Sequence, residues 1–252
     1  VKTGKLLTSY FHLEGIDPQV KADRSVVTEA DLAADRFIQE AIRANYPEDE
    51  ILTEETDPGQ IDPDKALWVV DPLDGTANFS LGLPLWGVSI ARLVNGMPEA
   101  GALNFPILGE LYSASDQDGA YLNGRPLKVQ PLRPEMPTAF FTCCSTTLRK
   151  YDLNIRYKTR MLGATAYDFG LVARGAALAG FHVTTKIWDI AAGWLVLEQA
   201  GGYAEVYPEG QPFPYSPAET PPITTSFVSL LAADKAPADK LRPARTPKKS
   251  SR

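Results

Sequence analysis

A layered fold, mixed α+β and α/β with helices and sheets in the order α-β-α-β-α, is what this sequence predicts. Three observations carry the prediction. Short alternating segments are punctuated by Asn95-Gly96 and Asn123-Gly124, the turn dipeptides of an antiparallel meander. After them, strand-like and helix-like stretches alternate, the pattern of an α/β layer. The chain has 252 residues, 44% hydrophobic and 22% charged, which excludes disorder over most of its length. A core of that size needs no disulfide or zinc to hold it.

The elements follow in order. Asp31 to Tyr46 has the first clear helical period, with Ala34, Phe37, Ile38, Ala41 and Ile42 on one side and Pro47 as its stop. A strand is expected at Leu67 to Val70, and the meander at Trp86–Val94, Gly101–Phe105, Glu110–Ala114 and Tyr121-Leu122. The Pro-rich stretch Pro131 to Pro137 divides an N-terminal α+β lobe, residues 1–135, from a C-terminal α/β lobe, residues 136–234. The second lobe reads as strand Ala139–Cys144, helix Ala166–Ala179, strand Phe181–Thr184, helix Ile190–Ala200, then strands Tyr203–Tyr207 and Phe227–Ala232. Pro208 to Pro222 is expected to be a surface loop. Residues 235–252 are basic and are expected to form a disordered tail.

Charge and composition exclude several functions. Residues 235–252 hold seven Lys/Arg and one acid, so the body before them is strongly acidic. An acidic body argues against nucleic acid as a partner. The longest apolar stretch, Gly170 to Val183, is interrupted by Arg174 and falls short of the ~18 residues of a membrane span. The opening residues Val1 to Lys5 run into an amphipathic segment, not the apolar core of a secretory leader. The two cysteines, Cys143 and Cys144, are neighbours that a strand would point to opposite faces, so they read as reduced, buried small hydrophobes. A reduced, cytoplasmic setting fits them.

The chemistry lies in carboxylates. There is no Gly-x-x-x-x-Gly-Lys loop, no Gly-x-Ser-x-Gly elbow, and only two histidines, His12 and His182. In Trp68 to Thr76, an apolar strand ends in Asp71 and Asp74, and Gly75-Thr76 opens a helix. Oxygen-only ligands select a hard cation, Mg²⁺ or Mn²⁺, over zinc. A helix start offers N–H groups to a phosphate. Each acid also has an ordinary reading: Asp-Pro and Asp-Gly as turn formers, Glu54-Glu55 as a solvated turn, Asp189 as a helix cap. Asp31, three residues after Thr28, has the spacing of a capping box.

Taken together, Glu54-Glu55, Trp68 through Phe79, and Trp188-Asp189-Ile190-Ala191-Ala192 resemble the inositol monophosphatase family, the Mg²⁺-dependent, lithium-sensitive phosphomonoesterases related to fructose-1,6-bisphosphatase. Lys21 and Val27-Thr28-x-Ala30-Asp31 match upstream. The resemblance implies the layered sugar-phosphatase fold, a homodimer, and two to three Mg²⁺ ions, with Mn²⁺ as a substitute. It implies that Glu54, Asp71, Asp74, Asp189 and the Leu73 carbonyl bind metal, and that Gly75 and Thr76 receive the phosphate. Asp31, Glu54 and Thr76 are then catalytic, Asp31 and Thr76 orienting and deprotonating the attacking water. Asp74, Gly163, Thr165 and His182 are expected on the substrate side. His182 stands where inositol-specific members carry a glutamate, so a place in the core beside Phe181 is its other reading. The implied substrate is inositol 1-phosphate. Fructose 1,6-bisphosphate, histidinol phosphate and 3′-phosphoadenosine 5′-phosphate are alternatives, and a non-catalytic metal- or phosphate-binding regulator is the competing class.

Overall fold

The computed structural model of the chain describes residues 1–20, 26–56, 59–130, 138–208, 210–241 and 245–247. Helices α1 (Lys2–Tyr10) and α2 (Glu29–Asn45) bracket a small ribbon of β1 (Gln19–Val20) and β2 (Val26–Val27). The first large sheet runs in the order β3 (Glu50–Thr53), β4 (Leu67–Asp74), β5 (Gly87–Val94), β6 (Met97–Phe105), β7 (Glu110–Ser115), β8 (Gly119–Leu122) and β9 (Arg125–Pro126). Strand β3 is parallel to β4, and every later neighbour is antiparallel. A short helix, α3 (Thr76–Ser80), follows β4. The meander turns are as expected: Asn95 and Asn123 take φ of 51° and the glycines after them φ of 74°, the left-handed pair that matches strand twist.

The second sheet contains β10 (Phe140–Cys143), flanked by β12 (Lys158–Arg160) and β13 (Ala179–Thr185), both parallel to it. Strands β15 (Phe227–Ala232) and then β14 (Tyr203–Val206) complete it antiparallel. Helices α4 (Ser145–Lys150), α5 (Thr165–Ala173), α6 (Ile187–Gln199) and α7 (Lys235–Leu241) cover it, and β11 (Tyr151–Leu153) pairs with β16 (Arg245–Pro247).

The layers follow from strand alternation. On β4 and β5, Val70, Leu73, Val88 and Ile90 face α1 and α2, packing with Leu7, Ala34 and Ile38. Leu67, Val69, Ala91 and Leu93 face the other way, toward α5 and α6. One apolar cluster then runs from the first sheet through Phe169, Trp194 and Leu197 to Leu231 in the second. Gly193 lets α5 and α6 close together, because a Cβ there would come within 2.6 Å of the Phe169 ring. Behind the second sheet, Phe141, Phe181 and Leu230 pack with Ala238 of α7. The order is α-β-α-β-α.

Several expectations are corrected. The helix predicted over Ala166–Ala179 stops at Ala173, and Ala179 opens β13. Gly175, at φ of 71°, donates to Val172 O while Ala176 donates to Leu171 O, the paired bonds of a glycine-terminated helix. Helix-forming alanines hid that end. The predicted Val70 strand end moves to Asp74. The proline-rich loop is not wholly at the surface: Phe213 and Tyr215 are buried, Phe213 edge-on to Trp194. The expected disordered tail contains α7 and β16 among its described residues. Cys143 is buried, but Cys144 is half-buried. Lys21 and Pro131–Pro137, with the junction between the predicted lobes, lie outside the described residues. No helix among the described residues is long and apolar enough to cross a membrane.

Candidate active site

Strand register brings the acids together. Strand β3 pairs in parallel with β4, Thr53 opposite Val70, and Glu54 N–H extends the ladder to Val70 O at 3.1 Å. The next step sets Glu54 beside Asp71. On β4, Asp71 lies opposite Ser89 and Asp74 opposite Gly87, so three steps on β4 match two on β5. That extra residue is a β-bulge. Without it, residues three apart would point to opposite faces; with it, Asp74 faces the first turn of α5, whose Thr165 and Ala166 N–H groups it accepts from. Asp189 arrives from the first turn of α6, which is tied to the sheet by Ser89 Oγ donating to Trp188 O at 3.1 Å.

One carboxylate oxygen each from Glu54, Asp71 and Asp189 lies within 4.8 Å of the others. Burial and the charges of Glu54, Asp74 and Asp189 hold the Asp71 carboxyl well above its ordinary range. Burial pushes Asp74 up to about 7 against hydrogen bonds from Ala166 and Thr165, and pushes Asp189 up to about 7 against one from Lys186. Crowded, desolvated acids that resist ionisation are groups awaiting positive charge. An all-oxygen donor set of this kind fits a hard divalent cation.

Beside this cluster is a second constellation. Asp31, buried in the first turn of α2, accepts from Thr28 N–H at 2.7 Å and Thr28 Oγ1–H at 2.5 Å on Oδ2. Its Oδ1 accepts from Thr76 Oγ1 at 2.9 Å; that hydroxyl also lies 3.0 Å from Leu73 O. Burial raises the Asp31 carboxyl above its usual range, and the three donors oppose it. Gly75 precedes Thr76 at φ of 90°, and a Cβ there would stand 2.8 Å from Leu85 O, so the turn between β4 and α3 requires glycine.

These constellations bear on a comparison with known proteins. The model of the inositol monophosphatase family matches residues 1–220. The chain belongs to that family. Its relatives include a histidinol-phosphatase of Chlorobaculum parvum, 35% identical over 208 residues, covering 80% of each chain. They also include the Nus factor SuhB of Pasteurella multocida, 35% identical over 212 residues, covering 80% of this chain and 79% of the other. Among solved structures, the extragenic suppressor protein suhB of Bartonella henselae superposes with a TM-score of 0.80 at 28% identity, over 96% of this chain and 93% of that one. Family membership makes the chain a phosphoric monoester hydrolase by class.

Against this family frame, the predicted site residues divide. Glu54, Asp71 and Asp189 converge, and Asp31, Thr76 and the Leu73 carbonyl form the hydrogen-bonded group beside them. Asp74 is adjacent, but each of its oxygens already accepts a backbone N–H, from Thr165 at 3.0 Å and Ala166 at 2.8 Å. Thr165 opens α5 and is one of those donors, and Gly163 lies in the loop just before it. Asn78 Nδ2 pins that loop by donating to Leu162 O and Leu85 O, both at 2.7 Å. His182 has the position of its other reading, in the core: it is 1% exposed and its Nε2 lies 3.3 Å from Asp168 Oδ2. A β-strand residue one step from Phe181 in a covered sheet is core, and the acid on α5 compensates it. Sequence reasoning missed Asp168, although a lone acid inside the apolar run Ala164–Ala173 was its signal.

Proposed function

We propose that the chain hydrolyses a small polyol or sugar phosphate monoester with Mg²⁺ held by Glu54, Asp71, Asp74, Asp189 and the Leu73 carbonyl. The observation that carries this reading is the convergence of Glu54, Asp71 and Asp189 within 4.8 Å, next to a hydrogen-bonded Thr76–Asp31 pair. When bound, such cations supply charge neutralisation and Lewis acidity toward the ester dianion. The chain's own residues do the rest. Thr76 is a poor base alone, but its hydroxyl can pass a proton to Asp31 Oδ1 and accept one from an attacking water. The Thr28 donors fix the Asp31 carboxylate in the orientation that makes this relay possible. Gly75 and Thr76, at the start of α3, receive the phosphate oxygens.

Inositol 1-phosphate is the substrate that family membership supports. The 35%-identical histidinol-phosphatase favours histidinol phosphate as a second reading, and His182 supplies no carboxylate for inositol hydroxyls. Phosphate release from both esters, fructose 1,6-bisphosphate and 3′-phosphoadenosine 5′-phosphate, compared by kcat/KM with Mg²⁺ and with EDTA, decides the substrate. Turnover that vanishes in EDTA is expected. No Mg²⁺-dependent release from any of the four would overturn the reading and favour a non-catalytic metal- or phosphate-binding role.

A further inference from the structure

Helix α2 presents more than Asp31 to the site. Asp31, Asp35, Gln39 and Arg43 recur every four residues, so they line one face of the helix, each about 6 Å along the axis from the next. Asp31, Asp35 and Gln39 are buried. Arg43 Nη2 donates to Gln39 Oε1 at 2.8 Å, which turns the Gln39 amide nitrogen toward Asp35. Two donors then meet on one oxygen: Gln39 Nε2 at 2.8 Å and Thr56 Oγ1 at 2.7 Å both donate to Asp35 Oδ2.

Thr56 is where this ladder leaves the helix. It stands two residues after Glu54, on the bend that follows β3. The parallel ladder fixes the chain as far as the Glu54 N–H, which donates to Val70 O. Past that point the chain leaves the sheet, and Thr56 folds it back. Its N–H donates to Thr53 Oγ1 at 3.1 Å while its hydroxyl donates to Asp35. Glu54 is therefore held by β4 on one side and, through Thr56, by α2 on the other. The two acids of α2 act in parallel. Asp31 accepts the hydroxyl of Thr76 at the start of α3, and Asp35, one helical turn on, accepts the hydroxyl of Thr56 after β3. A single helix thus sets the spacing of the two segments that carry the site.

Stability alone does not select an acid at position 35. Its Oδ1 is buried and accepts no hydrogen bond among the described residues, a cost that an apolar side chain would avoid. The oxygen that is met reaches 21 residues along the chain, to the bend that carries Glu54. We propose that Asp35 is a positioning residue for the cation cluster, fixing Glu54 through the Thr56 hydroxyl. It touches neither cation nor substrate. It restricts the bend from which the Glu54 carboxylate reaches Asp71 and Asp189. Ligands held in place lose less freedom when an ion binds, so releasing the bend weakens binding. This role rests on the cation site proposed above.

The experiment titrates Mg²⁺ into the metal-free full chain by calorimetry, without substrate. Thr56 is exposed, so Thr56→Val removes the hydroxyl at nearly constant shape without disturbing the core. It should raise the Mg²⁺ Kd about tenfold, the lower end of what residues that orient metal ligands contribute. Thr56→Ser keeps the hydroxyl and should restore the wild-type Kd. Asp35→Ala should weaken binding as Thr56→Val does, and the double variant should bind no more weakly than Asp35→Ala, because both changes cut the same link. If Asp35→Ala fails to fold, the Thr56 pair decides. In turnover, the Mg²⁺ concentration for half-activity should rise with Kd, while kcat at saturating Mg²⁺ falls by less. A purely structural Asp35 predicts a Tm lowered equally with and without Mg²⁺ and an unchanged Kd. Thr56→Val with the wild-type Kd, or Thr56→Ser as weak as Thr56→Val, overturns the proposal and leaves the cation site standing. Wild type and Glu54→Gln that both fail to bind Mg²⁺ would overturn the cation site, and this role with it.

Discussion

Helices α2 and α6 start alike and do different work. In each, the third helical residue is an aspartate whose carboxylate reaches back to the N–H of the residue before the helix, Asp31 to Thr28 at 2.7 Å and Asp189 to Lys186 at 2.8 Å. In α2 the Thr28 hydroxyl adds a second bond in the same direction, donating to Asp31 Oδ2 at 2.5 Å. In α6 the preceding residue is Lys186, whose Nζ donates to Ile223 O and Thr225 O, so it anchors a loop and accepts nothing. What separates the two acids is their tertiary company. Asp31 meets one hydroxyl, Thr76, whereas Asp189 meets Glu54 and Asp71. The same local device thus sets a carboxylate against a hydroxyl at one helix and within a cluster of carboxylates at the other. A capping motif specifies where a carboxylate sits on its helix, and the facing strand specifies its chemistry.

The sharpest way to break this comparison is to neutralise each acid in turn. Asp189→Asn should lower kcat/KM on the order of 10³-fold, the value of several kcal/mol of lost electrostatic stabilisation. It should also shrink the Mg²⁺-induced rise in Tm, because less cation binding is linked to folding. Asp31→Asn should cost about 10²-fold in turnover, the scale of a proton-transfer contribution, and leave the Mg²⁺ shift intact. Equal Mg²⁺ shifts in both variants would mean that Asp189 is a cap and nothing more.

A smaller effect concerns pH without metal. Asp71, Asp74 and Asp189 are all raised above the ~3.9 of an unfolded aspartate, two of them to about 7. The folded state therefore holds more protons than the unfolded state between those values, so stability falls as pH rises from about 4 to 7 and levels off above. Melts in EDTA should show that decline, and melts in excess Mg²⁺ should lose it. A flat EDTA profile would mean that burial and like charge do not raise these acids in the folded state. The smallest effect is expected at the cap itself. Thr28→Ala should cost about 0.5–2 kcal/mol, or ~2–4 °C of Tm per kcal/mol, with or without Mg²⁺. A metal-dependent loss would tie Thr28 to the cation site.

Much of this molecule was legible in the chain. Asn-Gly pairs and strand alternation specified the meander, because those turns demand positive φ and sheets demand period two. The acids were legible by type, since a run of carboxylates at strand and helix ends selects a hard cation whatever the fold. The Thr28–Asp31 spacing gave the cap on α2 directly. Where the reading failed, a local signal was outvoted. Alanines after Gly175 favour helix, yet the chain reverses there and enters β13. His182 left two readings open, and the sheet around it, covered on both faces with Asp168 within reach, gives it the core position.

Sequence by itself determined the inventory: which carboxylates exist, which helices they cap, and which turns the backbone can make, all set by interactions within a few residues. Tertiary structure alone decided which of those groups meet. The bulge between Asp71 and Asp74 exists only through pairing with β5, and Glu54 stands beside Asp71 only through the parallel register of β3. Asp189 reaches them only because α6 lies on that face. These meetings join residues 17 to more than 100 positions apart along the chain. Local propensity carries no information at that range, because strand register and layer packing are settled by the burial of the whole apolar core.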